Sequence, residues 1–271
     1  MRFIKIFWIA VSLLFTVTAC ETGLKNSETA NMDKNNSAIN VEHRETSKSL
    51  TASDNYTRLG AAYLKKNNYE KALIKLQKAV RLNSENAKAY SYLGVLYWRL
   101  EQSVPADKYF ILSRKISPYN AAINHNYASF LCSEKRYKEA TKMFSNVFRN
   151  PLYDRLSSAY QVSADCDFDT LEFSRAEKSY KKALKIDKTN ALAMLGMAKI
   201  YYKRSNYKIS NYYLERYSKL RKHTSESLWL AVNLQRKLGD KNKLSSLILE
   251  LKNIYPDSVH TLMFIEGKLD Y

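Results

Sequence analysis

From residue 53 onward, apolar and polar positions recur with a period of 34 residues. Two successive units show it best. Tyr56-x2-Leu59-Gly60-x2-Tyr63 is followed by Ala72 and Leu76, and Tyr90-x2-Leu93-Gly94-x2-Tyr97 by Ala106, Phe110 and the closing Pro118. Spacings of three and four place the first four positions on one face of a helix, and the alanine with the large residue after it marks a second helix. Each unit is therefore expected to be a helix-turn-helix. The small residue after the leucine lets the first helix approach its partner, and the alanine does the same from the second. Aromatics fill the space between units, so that size complementarity sets the period. A proline near the end of a unit, as at Pro118 and Pro256, cannot continue a helix and turns the chain into the next one.

Carrying the register forward gives six units, at 53–86, 87–120, 121–154, 157–190, 191–224 and 225–258. The third holds Ala128, Leu131, Ala140 and Phe144, and two extra residues follow it. The fourth is marked by Tyr160, Ala164, Ala176, Tyr180 and Ala183, with Asp167 where an aromatic is usual; the fifth has Ala198 and Tyr201. The sixth keeps the apolar period through Leu228, Ala231, Leu244, Ile248 and Leu251 and closes at Pro256. Tyr69, Tyr137, Phe173 and Tyr207 add an aromatic between the helices of four units. This pattern resembles the tetratricopeptide repeat (TPR). The resemblance implies an all-α fold, a right-handed superhelical solenoid of about six helix-turn-helix repeats with a C-terminal capping helix. Residues 259–271, with Leu262, Phe264, Ile265 and Leu269, supply that cap, which a solenoid needs over its last open face.

The N-terminus departs from the pattern. Met1, Arg2 and Lys5 supply a positive start, Ile6 to Val17 an apolar run, and Thr18-Ala19 a small-residue end, which together read as a secretion signal over residues 1–19. The apolar run is short for a membrane span, which needs about 20 residues. Val17-Thr18-Ala19-Cys20 resembles the bacterial lipobox, which implies cleavage before Cys20 and lipidation of its thiol. Glu21 follows; in enterobacterial lipoproteins an aspartate there favours inner-membrane retention, so the resemblance implies passage to the outer membrane. Residues 20–52 are rich in Asn, Ser, Thr and Glu with few large apolar side chains and are expected to form a disordered tether behind the lipidated cysteine.

Composition narrows the chemistry further. The chain carries a formal charge of +18, concentrated in the repeats, a field that favours acidic proteins or lipid phosphates as neighbours. The simpler reading is a lysine-rich solvated face. Export argues against nucleic acid as a partner. The four histidines, His43, His125, His223 and His260, lie far apart and none sits near a cysteine pair, so no metal site is expected. Six glycines in total leave little material for a phosphate loop or nucleophile elbow. Neither enzymatic activity, nor a cofactor, nor a small-molecule substrate is expected. Cys132 and Cys166 fall on the first helices of neighbouring repeats in an oxidising compartment, where pairing is allowed. Two half-buried free thiols are favoured over a disulfide, because rigid stacked helices seldom bring cysteines within bonding reach by accident.

Lipobox, polar tether and six TPRs together resemble the type IV pilus biogenesis and stability lipoproteins, the PilF/PilW family. Segments that carry the likeness are Tyr56 to Ala72 (YTRLGAAYLKKNNYEKA), Asn126 to Ala140 (NYASFLCSEKRYKEA), the Pro151-Leu152-Tyr153 turn with its two-residue offset, and Leu251 to Ser258 (LKNIYPDS). The resemblance implies an outer-membrane lipoprotein facing the periplasm, a pilotin that helps the pilus secretin form its ring. The partner, the secretin or another envelope protein, is expected in the groove lined by the first helices, at Leu64, Ser91, Val95, Trp98, Arg99, His125, Ser129 and Cys132. Trp98 reads equally as a binding anchor and as a core residue. Thr57 and Ala61 stand where a chaperone-type TPR would place carboxylate-clamping residues, which disfavours a C-terminal carboxylate ligand. A competing reading is a periplasm-facing TPR scaffold for cell-wall or outer-membrane protein assembly.

Overall fold

The computed structural model describes residues 28–268. The signal segment, Cys20 and Leu269 lie outside the described residues. All regular structure among the described residues is helical. Helices α1 (Glu28–Lys65) and α2 (Tyr69–Leu82) form the first pair, followed by α3 (Ala87–Arg99) with α4 (Ser103–Ile116) and α5 (Ala121–Ser133) with α6 (Tyr137–Phe148). The second half continues with α7 (Leu156–Asp169) and α8 (Phe173–Ile186), α9 (Ala191–Lys203) and α10 (Tyr207–Leu220), α11 (Ser225–Leu238) and α12 (Lys241–Ile254), and a short α13 (Val259–Ile265). Each 34-residue interval thus holds one helix pair, the TPR arrangement. From Ser49 onward the repeats make one compact unit.

One expectation fails at the front of the chain. Residues 28–52 fall within α1 and are not an unstructured tether. Extending an existing helix adds one hydrogen bond per residue fixed, without a new nucleation cost. The packed turns of α1 beyond Ser49 can therefore carry the helix back into a polar segment that has no apolar period of its own.

The pairing rule read from the motif is visible as sterics. At Gly94 an added Cβ would sit 2.9 Å from the Phe110 ring, and at Gly60 it would run into Leu76. The equivalent Ala128, Ala164 and Ala198 are fully buried. Leu93, buried to 1%, packs into the cluster of Leu64, Ala72 and Leu76 from the preceding repeat, whereas the equivalent Leu59 of the first repeat is 46% exposed. Same motif position, different neighbour: the leucine is a between-repeat residue. Asp167, where an aromatic is usual, pairs with Arg175 of α8. Its neighbour Phe168 supplies the ring instead, packing against Phe173 at 5.2 Å.

The turns repeat as closely as the helices. Between the helices of the first five pairs one residue adopts a left-handed conformation: Asn67, Glu101, Lys135, Leu171 and Ser205, with φ of 55° to 62°. In the sixth that position is Gly239, at φ 83°. The next residue's N–H then reaches back to the helix, as in Gln102 N to Tyr97 O at 2.9 Å and Arg136 N to Leu131 O at 2.8 Å. This closes the helix C-terminus and satisfies carbonyls that would otherwise lack a donor. Between repeats, Asn86, Asn120 and Asn190 cap α3, α5 and α9 with their side-chain oxygens. Asn86 and Asn190 also donate to Ser53 Oγ and Ser157 Oγ, whose hydroxyls donate to the carbonyls of Ala79 and Ala183. These buried polar groups are thereby paired with one another, and the cap locks one repeat to the next.

The candidate partner groove

The first helix of every repeat lines one side of the stack. Of the expected groove residues, Leu64, Val95, Trp98, Arg99, His125, Ser129 and Cys132 share one cavity of about 630 Å³. Ser91 does not join them. It lines an adjoining cavity of about 500 Å³ with Thr57, Arg58 and Asn126, and its hydroxyl accepts a hydrogen bond from Asn126 at 3.1 Å. Trp98 has contacts on both sides. It is half-buried, meets Phe130 edge-on at 6.0 Å between ring centres, and still faces the cavity.

His125 is buried on α5, with Nδ1 3.0 Å from the Tyr153 hydroxyl. Burial, reinforced by the charge of Arg155, pulls its pKa down to about 4, so it is neutral in the groove floor at ordinary pH. Tyr153 comes from the Pro151-Leu152-Tyr153 turn, whose two extra residues bring the phenol under the histidine. Burial raises that phenol's pKa.

Cys132 and Cys166 form a disulfide between α5 and α7, with Cα atoms 5.7 Å apart. The favoured expectation of two free thiols is corrected. They are 34 residues apart, two short of the step from Lys135 to Leu171 that the insertion lengthens, and the stack sets residues about one repeat apart side by side on neighbouring first helices, as Ser91 and Asn126 also are. The bond sits in the groove wall and ties the third repeat to the fourth.

The fourth repeat contributes groove residues that the sequence reading missed. Arg155, Val162, Asp165 and Asp169 complete the same cavity. Asp165 accepts from the Tyr180 hydroxyl at 2.5 Å and from Gln161 Nε2. Burial pushes its pKa up to about 6, with Tyr180 and Lys199 pulling the other way, and burial raises Asp169 as well. The cavity lining thus combines the guanidinium groups of Arg99 and Arg155, the carboxylates of Asp165 and Asp169, and the apolar side chains of Val95, Trp98 and Val162. A lining that mixes apolar side chains with charges of both signs suits an extended or helical peptide segment. Among the described residues no cluster of three or more His, Cys, Asp or Glu side chains could hold a metal ion, and no helix is long and apolar enough to cross a membrane.

Comparison with known proteins places this architecture. Residues 60–101 match the family described as TPR repeat. The type IV pilus assembly protein PilF of Pseudomonas aeruginosa is 26% identical over 208 residues, covering 77% of this chain and 82% of the relative. The solved structure of Pseudomonas aeruginosa PilF superposes with a TM-score of 0.73 at 26% identity, covering 80% of this chain and 98% of that one. This chain is a TPR protein similar to PilF. The crystal structure of PilW, a widely conserved type IV pilus biogenesis factor, shares the fold with a TM-score of 0.72 at 22% identity, over 79% of this chain and 98% of that one.

Proposed function

We propose that the chain is a type IV pilus biogenesis factor: an outer-membrane lipoprotein, anchored through lipid on Cys20 and facing the periplasm, that acts as a pilotin for the pilus secretin. The support is similarity to PilF over 77% of the chain in sequence and 80% in structure, joined to a preformed groove whose lining suits a protein segment. Binding needs little rearrangement, because the groove wall is fixed by the disulfide, by buried Asn–Ser locks and by the neutral His125 beneath it. Preorganisation of that kind lowers the entropic cost of association. Trp98 is the apolar anchor, Arg99 and Arg155 meet acidic groups of the partner, and Asp165 and Asp169 meet basic ones. The lipid delivers the partner to the membrane, and the groove holds it while the ring forms.

Trp98→Ala removes the central anchor and costs about 2 kcal/mol of binding. Arg99→Glu reverses an exposed charge without touching the core. Both variants lower the amount of heat-resistant secretin multimer while the lipoprotein stays at normal abundance. Unchanged multimer in both would remove the groove from the function.

A further inference from the structure

The first repeat ends the stack with an unusual face. In the second repeat, Tyr109 of α4 stacks with Tyr97 and Tyr90, at 5.3 and 6.2 Å between ring centres, and packs against the first repeat's core. One period earlier that position is Lys75. Lys75 and Lys78 stand over the Tyr56 ring at 5.7 and 4.7 Å, and Lys71 over Tyr63 at 5.9 Å. Lys78 holds the Tyr56 phenol below its ordinary pKa, as an ammonium beside it should. Spacings of four and three put the three lysines on one side of α2. Beside them lie Leu59, 46% exposed, and Ile74, 50% exposed. Among the described residues none of these lysines forms an ion pair.

We propose that this end face, built from Tyr56, Leu59, Lys71, Ile74, Lys75 and Lys78, seats against the anionic headgroups of the membrane that carries the lipid anchor. Side chains that are part apolar, part aromatic and ringed by lysine match the polar–apolar boundary of a bilayer. Each lysine close to an anionic surface adds about 1 kcal/mol. Of the two ends of the stack, this is the one that the chain from Cys20 leads into, so the lipid raises the local concentration of headgroups at this face. The seat would hold the groove at a fixed height above the membrane. The inference rests on the lipoprotein reading for its biological setting, although the face's affinity for lipid is a property of the repeats themselves.

The test is co-sedimentation of the mature chain from residue 20, carrying Cys20→Ala and so lacking lipid. The vesicles are phosphatidylethanolamine with phosphatidylglycerol, and phosphatidylcholine alone. Three proteins are compared: this parent, Lys71→Glu/Lys75→Glu/Lys78→Glu, and Lys178→Glu/Lys182→Glu/Lys185→Glu, which has the same spacing and charge change on α8. Far-UV circular dichroism melts establish that all three are folded. The expected result is binding of the parent to anionic vesicles only, weakened by salt. It falls at least roughly tenfold in the first triple variant and is largely kept in the second. Equal loss in both triples would mean that net charge alone drives binding, and would overturn the proposal. So would a parent that binds neither vesicle, or both alike; self-association abolished by the first triple would then give the face to a second copy of the chain. Labelled palmitate incorporation at Cys20 tests the anchor separately, so a chain that is lipidated but has no lipid-binding face fails this proposal and leaves the lipoprotein reading standing.

Discussion

Leu171 carries a left-handed backbone at φ 62° with its side chain 73% exposed, which costs an L-residue about 1 kcal/mol or more and returns no packing. Leu171→Gly is expected to stabilise the protein by about 0.5–1 kcal/mol, and Gly239→Ala at the equivalent turn to destabilise it by a similar amount; urea unfolding midpoints check both signs. Asp165 makes a second prediction. Its folded pKa of about 6 lies above the ordinary 3.8, so the folded state holds the proton more tightly than the unfolded chain. That stabilisation is complete below about pH 4 and lost as the pH rises through about 6. Asp165→Asn keeps an oxygen to accept from Tyr180 and should raise stability at pH 7.5 by on the order of 1 kcal/mol, with little effect at pH 4. His125 acts in the opposite direction. With its pKa lowered from 6.5 to about 4, its contribution is present above 6.5 and lost as the pH falls toward 4, so replacing it should flatten the acid limb of the stability curve. Neither residue's state was legible in the sequence, because each is set first by burial, which depends on the helices packed around it.

At the scale of elements, the Cys132–Cys166 bond closes a loop of one repeat between α5 and α7. Cys132→Ser/Cys166→Ser is expected to cost about 2–4 kcal/mol, and reduction of the parent should lower its thermal midpoint to that of the double variant. A midpoint unmoved by reduction would mean that the third and fourth repeats hold together without it. The helix pairs themselves were legible, since Gly60 against Leu76 and Gly94 against Phe110 write their contacts in residue size. The turns were not. Asn67, Glu101, Lys135, Leu171 and Ser205 share a conformation and no chemistry, because the backbone hydrogen bond that closes each helix asks nothing of the side chain. The helical state of residues 28–52 was hidden for a related reason, as propagation from a packed nucleus leaves no apolar signature. Asp165 and Asp169 were legible in register, since they stand one repeat after Ser129 and two repeats after Arg99 once the two inserted residues are counted, but the groove was read only over the first three repeats.

On the scale of the whole molecule, the fold follows from repetition, and the function from what breaks it. The insertion at Tyr153, the disulfide and the substitution of Lys75 for a tyrosine each fall where one repeat departs from its neighbours, and each contributes to the groove or to the end face. The central claim is that a lipid-anchored TPR groove assembles the pilus secretin. Membrane fractionation with unboiled gel analysis of the secretin, comparing wild type, a deletion strain and Cys20→Ala, tests it most directly. Loss of heat-resistant multimer from the outer membrane in the deletion, and partial loss with Cys20→Ala, is the predicted result. Normal multimers and normal pili in both strains would contradict it and favour a general scaffold for envelope assembly.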